Sequence, residues 1–407
     1  MKKVFLLTLV MFCVAFSISG CGFINQPNLV LPSEENTPIT DTGSAVNSIQ
    51  EDVEQNIGEN NPVDDTTQVA LTFQQRAKKI LQNMTLEEKV GQMFFARCPE
   101  KAAAEKALEY HLGGYVLFSE DFQDKTRRQV ISDIKGYQNA AKIPLLIGVD
   151  EEGGSINRLS LYRAFRAVPF WSPQDLYKEG GWNLIISDTE EKSTLLKSLG
   201  ININLAPVCD VSTDSSDFIH DRTFGQAAAQ TSEYVKRVVE TMNSMKMGSV
   251  LKHFPGYGNN IDTHTGISYD KRSYESFVAS DFLPFAAGIK AGAGAVLVSH
   301  NIVAFMDSEN PASLSPEVHR ILREELGFEG VIMTDDLYMD AIRQFTGEKK
   351  AAVIAVLAGN DLLVCTDFEV QIPAVLAAVQ DGTITENQIE TAVTRILLWK
   401  LELGITE

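Results

Sequence analysis

Between Gly22 and Ala70 the chain has no lysine and no arginine, against nine aspartates and glutamates. A segment so polar and so one-sided in charge cannot bury enough apolar surface to fold. Residues 21–70 are therefore expected to be a disordered acidic linker. That linker holds nine of the 19 excess negative charges, so the remainder is only moderately acidic. No basic stripe appears in it, and a nucleic-acid partner is not expected. Apolar runs of the roughly 20 residues that span a bilayer are also missing. The longest, Val4 to about Phe16, falls well short. No GxGxxG opens a helix, which argues against nucleotide binding, and no HExxH pair is present to hold zinc. Of the five cysteines, Cys98, Cys209 and Cys365 each end an apolar run without metal-ligand spacing. They read as buried free thiols, one disulfide being the alternative. No cofactor is implied.

What the ends do contain is an export signal: Lys2-Lys3, the apolar run, then Ile18-Ser19-Gly20-Cys21. The pattern resembles a bacterial lipoprotein signal. The resemblance implies removal of residues 1–20 and lipidation of Cys21, with an ordinary secretory signal and a free Cys21 thiol as the alternative. Two acyl chains would hold the protein stably on a membrane. The linker, spanning on the order of 40 Å as a flexible coil, would project the folded part toward the cell wall.

Residues 71–407 suit one α/β barrel with insertions. Apolar, β-branched runs recur at Val90–Ala96, Gly114–Phe118, Leu145–Val149, Ile201–Ala206, Ser249–Lys252, Ala295–Ser299, Val331–Thr334 and Leu362–Cys365. Helical patterns lie between most of them, among them Glu190–Leu199, Gln230–Met245 and Ser315–Leu326. Eight strands alternating with helices predict a single (β/α)8 TIM-type barrel.

The charged residues test that topology. Asp150-Glu151-Glu152, Asp210, Lys252-His253, His300 and Asp335-Asp336 each fall just past the end of a predicted strand. In a barrel those positions converge on one mouth. The densest stretch is Lys252-His253-Phe254-Pro255-Gly256-Tyr257-Gly258 followed by Asp262-Thr263-His264, a strand end and a glycine-rich loop carrying two imidazoles, a cation and a carboxylate. Asp335 emerges directly from Val331–Thr334, where a carboxylate can attack an anomeric carbon and form a glycosyl ester. Asp336 reads instead as a cap of the following helix. Asp210 suits a structural or a ligand role equally. His111, His220, His300 and His319 are expected to be packing or surface groups.

Six landmarks in order resemble the family 3 glycoside hydrolases, in their β-N-acetylglucosaminidase branch acting on cell-wall fragments. They are Met84–Met93 (MTLEEKVGQM), Asp150–Gly154 (DEEGG), Asn204–Val208 (NLAPV), Arg222–Gly225 (RTFG), Lys252–Gly256 (KHFPG) and Thr334–Leu337 (TDDL). The resemblance implies Asp335 as nucleophile and His264, paired with Asp262, as general acid/base. It also implies Asp150, Arg158, Arg222, Lys252 and His253 as ligands of the terminal sugar. A histidine suits the proton transfer on physical grounds too, because it titrates near neutrality. Its substrates would be GlcNAc-terminated muropeptides or chitin oligosaccharides, its cofactors none, and a monomer is expected.

Two positions depart from the family pattern. Tyr257 stands where a second histidine is usual, and Ser155 where an arginine often follows Glu-Gly-Gly. Neither carries the chemistry. Three other readings stay open. A β-glucosidase or xylosidase of the same family usually takes its acid/base from an added C-terminal domain, which this chain is expected to lack. A GlcNAc phosphorylase would use phosphate in place of water. A non-catalytic sugar-binding lipoprotein fits the anchor, though poorly the Asp335 and Asp262-His264 set.

Overall fold

A computed structural model describes residues 71–260, 266–346 and 350–406. Among them eight strands run parallel: β1 Phe94–Arg97, β2 Gly114–Leu117, β3 Leu146–Val149, β4 Ile203–Asn204, β5 Gly248–Phe254, β6 Ala295–Val298, β7 Val331–Thr334 and β8 Leu363–Cys365. Each pairs with its neighbour in chain order, and β8 returns to β1 with Leu363, Val364 and Cys365 opposite Phe94, Phe95 and Ala96. The seam from β7 to β8 is held by a bridge between Met333 and Leu362, and by Val364 N donating to Thr334 Oγ1 at 3.1 Å. The sheet thus curls into the expected (β/α)8 barrel. Strands β2, β3 and β5 to β8 are buried along their whole length, as strands covered on both faces must be.

β4 is short, and two asparagines extend its pairing with β3. Asn202 Oδ1 accepts from Ile147 N at 2.8 Å while its Nδ2 donates to Leu145 O at 3.1 Å. Asn204 repeats this with Glu151, accepting from N and donating to O, both at 3.0 Å. The side-chain amides act as extra ladder rungs. The second pair fixes the chain as it leaves β3.

One expected strand is displaced. Val90–Ala96 divides into the end of a helix, Leu86–Gln92, and the start of β1. Thr85 and Glu88 close a capping box at that helix, Glu88 N donating to Thr85 Oγ1 at 3.3 Å and Thr85 N to Glu88 Oε2 at 3.0 Å. An apolar run this short fits a buried helix end as well as a strand, and the cap decides. The expected helices are present. Glu190–Leu199 ends a longer segment, Pro173–Leu199, interrupted at Gly181. Gln230–Met245 is seen as Ala228–Ser244. Ser315 caps Pro316–Arg320, which continues as a π turn over Ile321–Glu325.

The last helix, Glu386–Glu402, closes the floor of the barrel. A Cβ on Gly294 would lie 2.0 Å from Trp399 Nε1, so only glycine allows the indole against the start of β6. Lys400 beside it is fully buried and donates to Gln92 Oε1 at 2.7 Å. Cys98, Cys209 and Cys365 are free and buried as expected, and burial pushes the Cys98 thiol up to about 12, which keeps it unreactive. No helix among the described residues is long and apolar enough to cross a membrane.

Candidate active site

The C-terminal ends of the strands surround a cavity of about 710 Å³ whose walls include Asp150, Arg158, Arg222, Lys252, His253 and Asp335. Cys21, Asp262 and His264 lie outside the described residues.

The three consecutive carboxylates after β3 do three different things. Asp150 faces the cavity, where Lys252 Nζ donates to its Oδ1 at 2.6 Å and Arg158 Nη2 stands 3.9 Å from its Oδ2. Glu151 turns inward and holds the returning loop. Its Oε2 accepts from the backbone of Arg158 at 3.0 Å and Leu159 at 2.9 Å, and Ser160 donates to Oε1 through both its amide and its hydroxyl. That clasp is how Arg158, eight residues on, reaches the cavity of Asp150. Glu152 is the hub: Arg222 grips it at both oxygens, Nε to Oε2 at 3.0 Å and Nη2 to Oε1 at 2.8 Å, while Lys252 Nζ lies 2.6 Å from Oε1. Burial alone would raise the Glu152 carboxyl, but Arg222 and Lys252 outweigh it and hold it well below the usual carboxylate range. Burial likewise disfavours the charge on Arg222, and Glu152 overcomes that and holds it raised.

Both Lys252 and His253 face the mouth although they are adjacent on β5. The pairing with β6 shifts register between Leu251 and Phe254, and such an irregularity re-aims side chains. His253 N donates to Asp210 Oδ2 at 3.1 Å, its Nδ1 lies 2.8 Å from the same oxygen, and Nε2 lies 3.1 Å from Arg222 Nη2. An arginine only donates, so Nε2 accepts and Nδ1 carries the ring proton. Asp210 is completed by Tyr257 N donating to Oδ1 at 2.6 Å. It positions His253 and the loop, which resolves the two roles the sequence left open.

The loop after β5 is braced from below. Gly256 has φ +127°, and a Cβ there would stand 2.3 Å from Asp281 Oδ1. Arg272 donates to Asp270, Asp281 and Gly256 O, and Asn260 Nδ2 donates to Asp270 Oδ2 at 2.7 Å. Tyr257 is buried with its ring 5.7 Å from that of His253 and 5.9 Å from Phe218. Ser155 is on the cavity wall.

On β7, Asp335 N donates to Val298 O at 3.2 Å, and Asp335 Oδ1 accepts from Asp336 N at 2.8 Å. Asp336 does not cap a helix as expected, since the next helix begins only at Asp340. Its Oδ1 accepts from Tyr338 N at 3.0 Å and Thr366 N at 3.1 Å, and the Thr366 hydroxyl donates to Oδ2. It ties the exit of β7 to that of β8. Burial pushes its carboxyl up. His300, with Nδ1 2.8 Å from Ser313 Oγ and Nε2 3.1 Å from Asp336 O, packs behind this turn.

The barrel order puts β7 across from β3, so Asp335 stands opposite the cluster of Asp150, Glu152, Arg222 and Lys252. Interleaved donors and acceptors on one wall suit vicinal hydroxyls, and a carboxylate on the other suits attack at an anomeric carbon. Among the described residues no three His, Cys, Asp or Glu side chains are grouped to hold a metal ion. The sequence placed Glu151 and Glu152 at the mouth beside Asp150 but gave neither a role, because three adjacent acids carry no mark of which way each one turns.

Residues 85–398 match the family described as "Glycosyl hydrolase family 3 N terminal domain". A beta-hexosaminidase of Xylella fastidiosa (strain M23) is 33% identical over 261 residues, covering 62% of this chain and 76% of that protein. Beta-hexosaminidase A of Pseudoalteromonas piscicida is 28% identical over 330 residues, 74% of this chain and 55% of that protein. Among solved structures, a glycoside hydrolase family 3 beta-N-acetylglucosaminidase from Paenibacillus sp. str. FPU-7 superposes with a TM-score of 0.74 at 30% identity, covering 79% of this chain and 63% of its own. LpqI of M. tuberculosis superposes at 0.71 with 26% identity, covering 79% of this chain and 95% of its own. The chain therefore spans less than two thirds of the Pseudoalteromonas and Paenibacillus proteins. The matched region takes in all eight strands and every described residue of the cavity network, and the chain belongs to glycosyl hydrolase family 3.

Proposed function

We propose that this chain is a retaining exo-β-N-acetylglucosaminidase that removes terminal GlcNAc from peptidoglycan fragments or chitin oligomers. The observation that carries this reading is Asp335, at the end of β7, facing across the cavity the network of Asp150, Glu152, Arg222 and Lys252. Relatives named beta-hexosaminidase, and a beta-N-acetylglucosaminidase of the same fold, support the sugar. Asp335 attacks the anomeric carbon as the glycosidic bond breaks, and His264, paired with Asp262, gives its proton to the departing oxygen. Water then attacks the same carbon, His264 takes a proton from it, and Asp335 leaves, so configuration is retained. Asp150, Arg158, Arg222 and Lys252 hold the terminal ring, and His253 adds a wall whose two nitrogens are already engaged within the protein.

Residues 1–20 act as a signal, and Cys21 carries the lipid that keeps the enzyme on the membrane facing the wall. Incorporation of a radioactive fatty acid that is lost in Cys21→Ser tests the anchor. For the activity, 4-nitrophenol release is measured from the β-N-acetylglucosaminide and the β-glucoside with the full chain and with Asp335→Ala. Turnover of the acetylated substrate alone, abolished in the variant, is expected. Turnover of the glucoside alone moves the chain to another branch of the family, and turnover of neither overturns the reading in favour of a sugar-binding protein.

A further inference from the structure

Arg97, at the end of β1, also lines the cavity, and no bond of the network around Glu152 reaches it. Its guanidinium lies 4.2 Å from the centre of the Phe118 ring. Its ionic partner is Glu120 at 3.7 Å, with the two side chains 42% and 71% exposed. A pair so open to solvent is weak and readily exchanged. Arg158 approaches the same ring at 5.6 Å, and its buried Nε has no hydrogen-bond partner among the described residues. Three consecutive strands therefore build one corner, Arg97 ending β1, Phe118 after β2 and Arg158 in the loop beyond β3.

Among the described residues the other carboxylates near this corner accept hydrogen bonds elsewhere, although the Arg97 charge also acts on Asp121. Asp121 accepts from Phe118 N at 2.7 Å, and Asp150 accepts from Lys252. Among the described residues Glu120 is the carboxylate within ion-pair distance of Arg97, and it stands largely in solvent. A guanidinium laid on an aromatic face keeps its donor edge free for a two-point contact with a planar anion. The position along the cavity decides which part of a substrate meets it. The buried network of Glu152, Lys252 and Arg222 suits the terminal ring, whereas the exposed Arg97 lies toward the rim, where the leaving group of an exo-acting enzyme emerges.

We propose that Arg97, supported by Phe118, is a specificity-determining residue that accepts a carboxylate on the leaving group. The preferred substrate class is then GlcNAc linked to a sugar acid, such as one bearing a lactyl ether, over an uncharged chitin oligomer. This rests on the reading of the site as GlcNAc-releasing.

The test compares kcat/KM for GlcNAc-β-1,4-N-acetylmuramic acid with that for its methyl ester, using the full chain and Arg97→Gln. An acid-to-ester ratio of about tenfold, the size of one charge-assisted contact, is expected at low salt. It should fall to near one in Arg97→Gln and shrink at high salt. A ratio near one in the parent, or a ratio that survives the substitution, overturns the assignment. A 4-nitrophenyl GlcNAc 6-sulfate arm separates the sources of charge, since an Arg97-dependent gain confined to that substrate would place the anion on the terminal ring and sink the leaving-group reading. If no GlcNAc substrate turns over, the functional reading fails on its own. Equilibrium binding of the acid and its ester to both proteins then judges Arg97 separately, equal affinities counting against it.

Discussion

The barrel buries a lysine at each end and treats the two in opposite ways. At the mouth Lys252 lies 2.6 Å from both Asp150 and Glu152, within a network that Arg222 completes. At the floor Lys400 donates to the neutral oxygen of Gln92, its one hydrogen-bond partner among the described residues, and the Gln92 amide nitrogen donates to the carbonyls of His111 and Leu112. Burying a charge is costly unless it is paired. The mouth meets that cost with carboxylates, which keeps several charges fixed where a polar substrate can use them. Among the described residues no carboxylate pairs with Lys400, the buried Asp361 at this end being held by Arg323 and Arg395, and burial pushes Lys400 down to about 7. A buried lysine thus sits in an ionic network on the cavity wall at one end and in neutral packing at the other, and its partners tell the two apart.

The largest effect that would separate the ends is Asp335→Ala, for which kcat on the aryl GlcNAc substrate should fall on the order of 10⁵-fold with little change in melting temperature. Next is His264→Ala, with a loss of about 10² to 10⁴-fold. An added small carboxylic acid or azide that rescues the variant would show the missing step to be proton transfer. The same substitution made at both ends sharpens the contrast. Lys252→Met leaves Asp150 and Glu152 short of a cation, and should lower stability by about 3–5 kcal/mol in urea titrations and remove activity as well. Lys400→Met should leave kcat/KM unchanged.

The smallest effect is a pH dependence at the floor. Unfolded Lys400 holds its proton up to about 10.5, whereas the folded group releases it near 7. Between those values the unfolded chain carries the extra proton, so this group's contribution to stability rises with pH across that window. The melting-temperature advantage of Lys400→Met over the parent should therefore be widest near pH 7 and close toward pH 10. A constant difference would show that Lys400 does not titrate in this range.

Much of this was legible in the residues. Seven of the eight apolar runs are strands at their expected places, and of the charged residues after them Asp150, Glu152, Lys252, His253, Asp335 and Asp336 line one cavity, whereas Glu151, Asp210 and His300 turn into the protein. The exception, Val90–Ala96, failed because one apolar run served a helix end and a strand start, and only the Thr85–Glu88 cap separates them. The same landmark that helped place the family is, at Thr85, a structural device. Within the site, Asp335 was visible as the carboxylate leaving a strand. The division of labour among Asp150, Glu151 and Glu152 was not, because adjacent acids look alike until the backbone turns.

The sequence by itself determined the alternation of strands and helices, and hence the barrel, because burial on both faces demands continuous apolar runs that can be read without coordinates. It determined also which chemical groups stand at the mouth. Only the tertiary structure decided their partners. Glu152 meets Arg222 from 70 residues away and Lys252 from 100, Asp210 is given to His253, and Arg97 is left with a loose pair at the rim. Pairing depends on which side chains a closed barrel brings within about 3 Å, and that distance is set by strand order and register rather than by spacing along the chain.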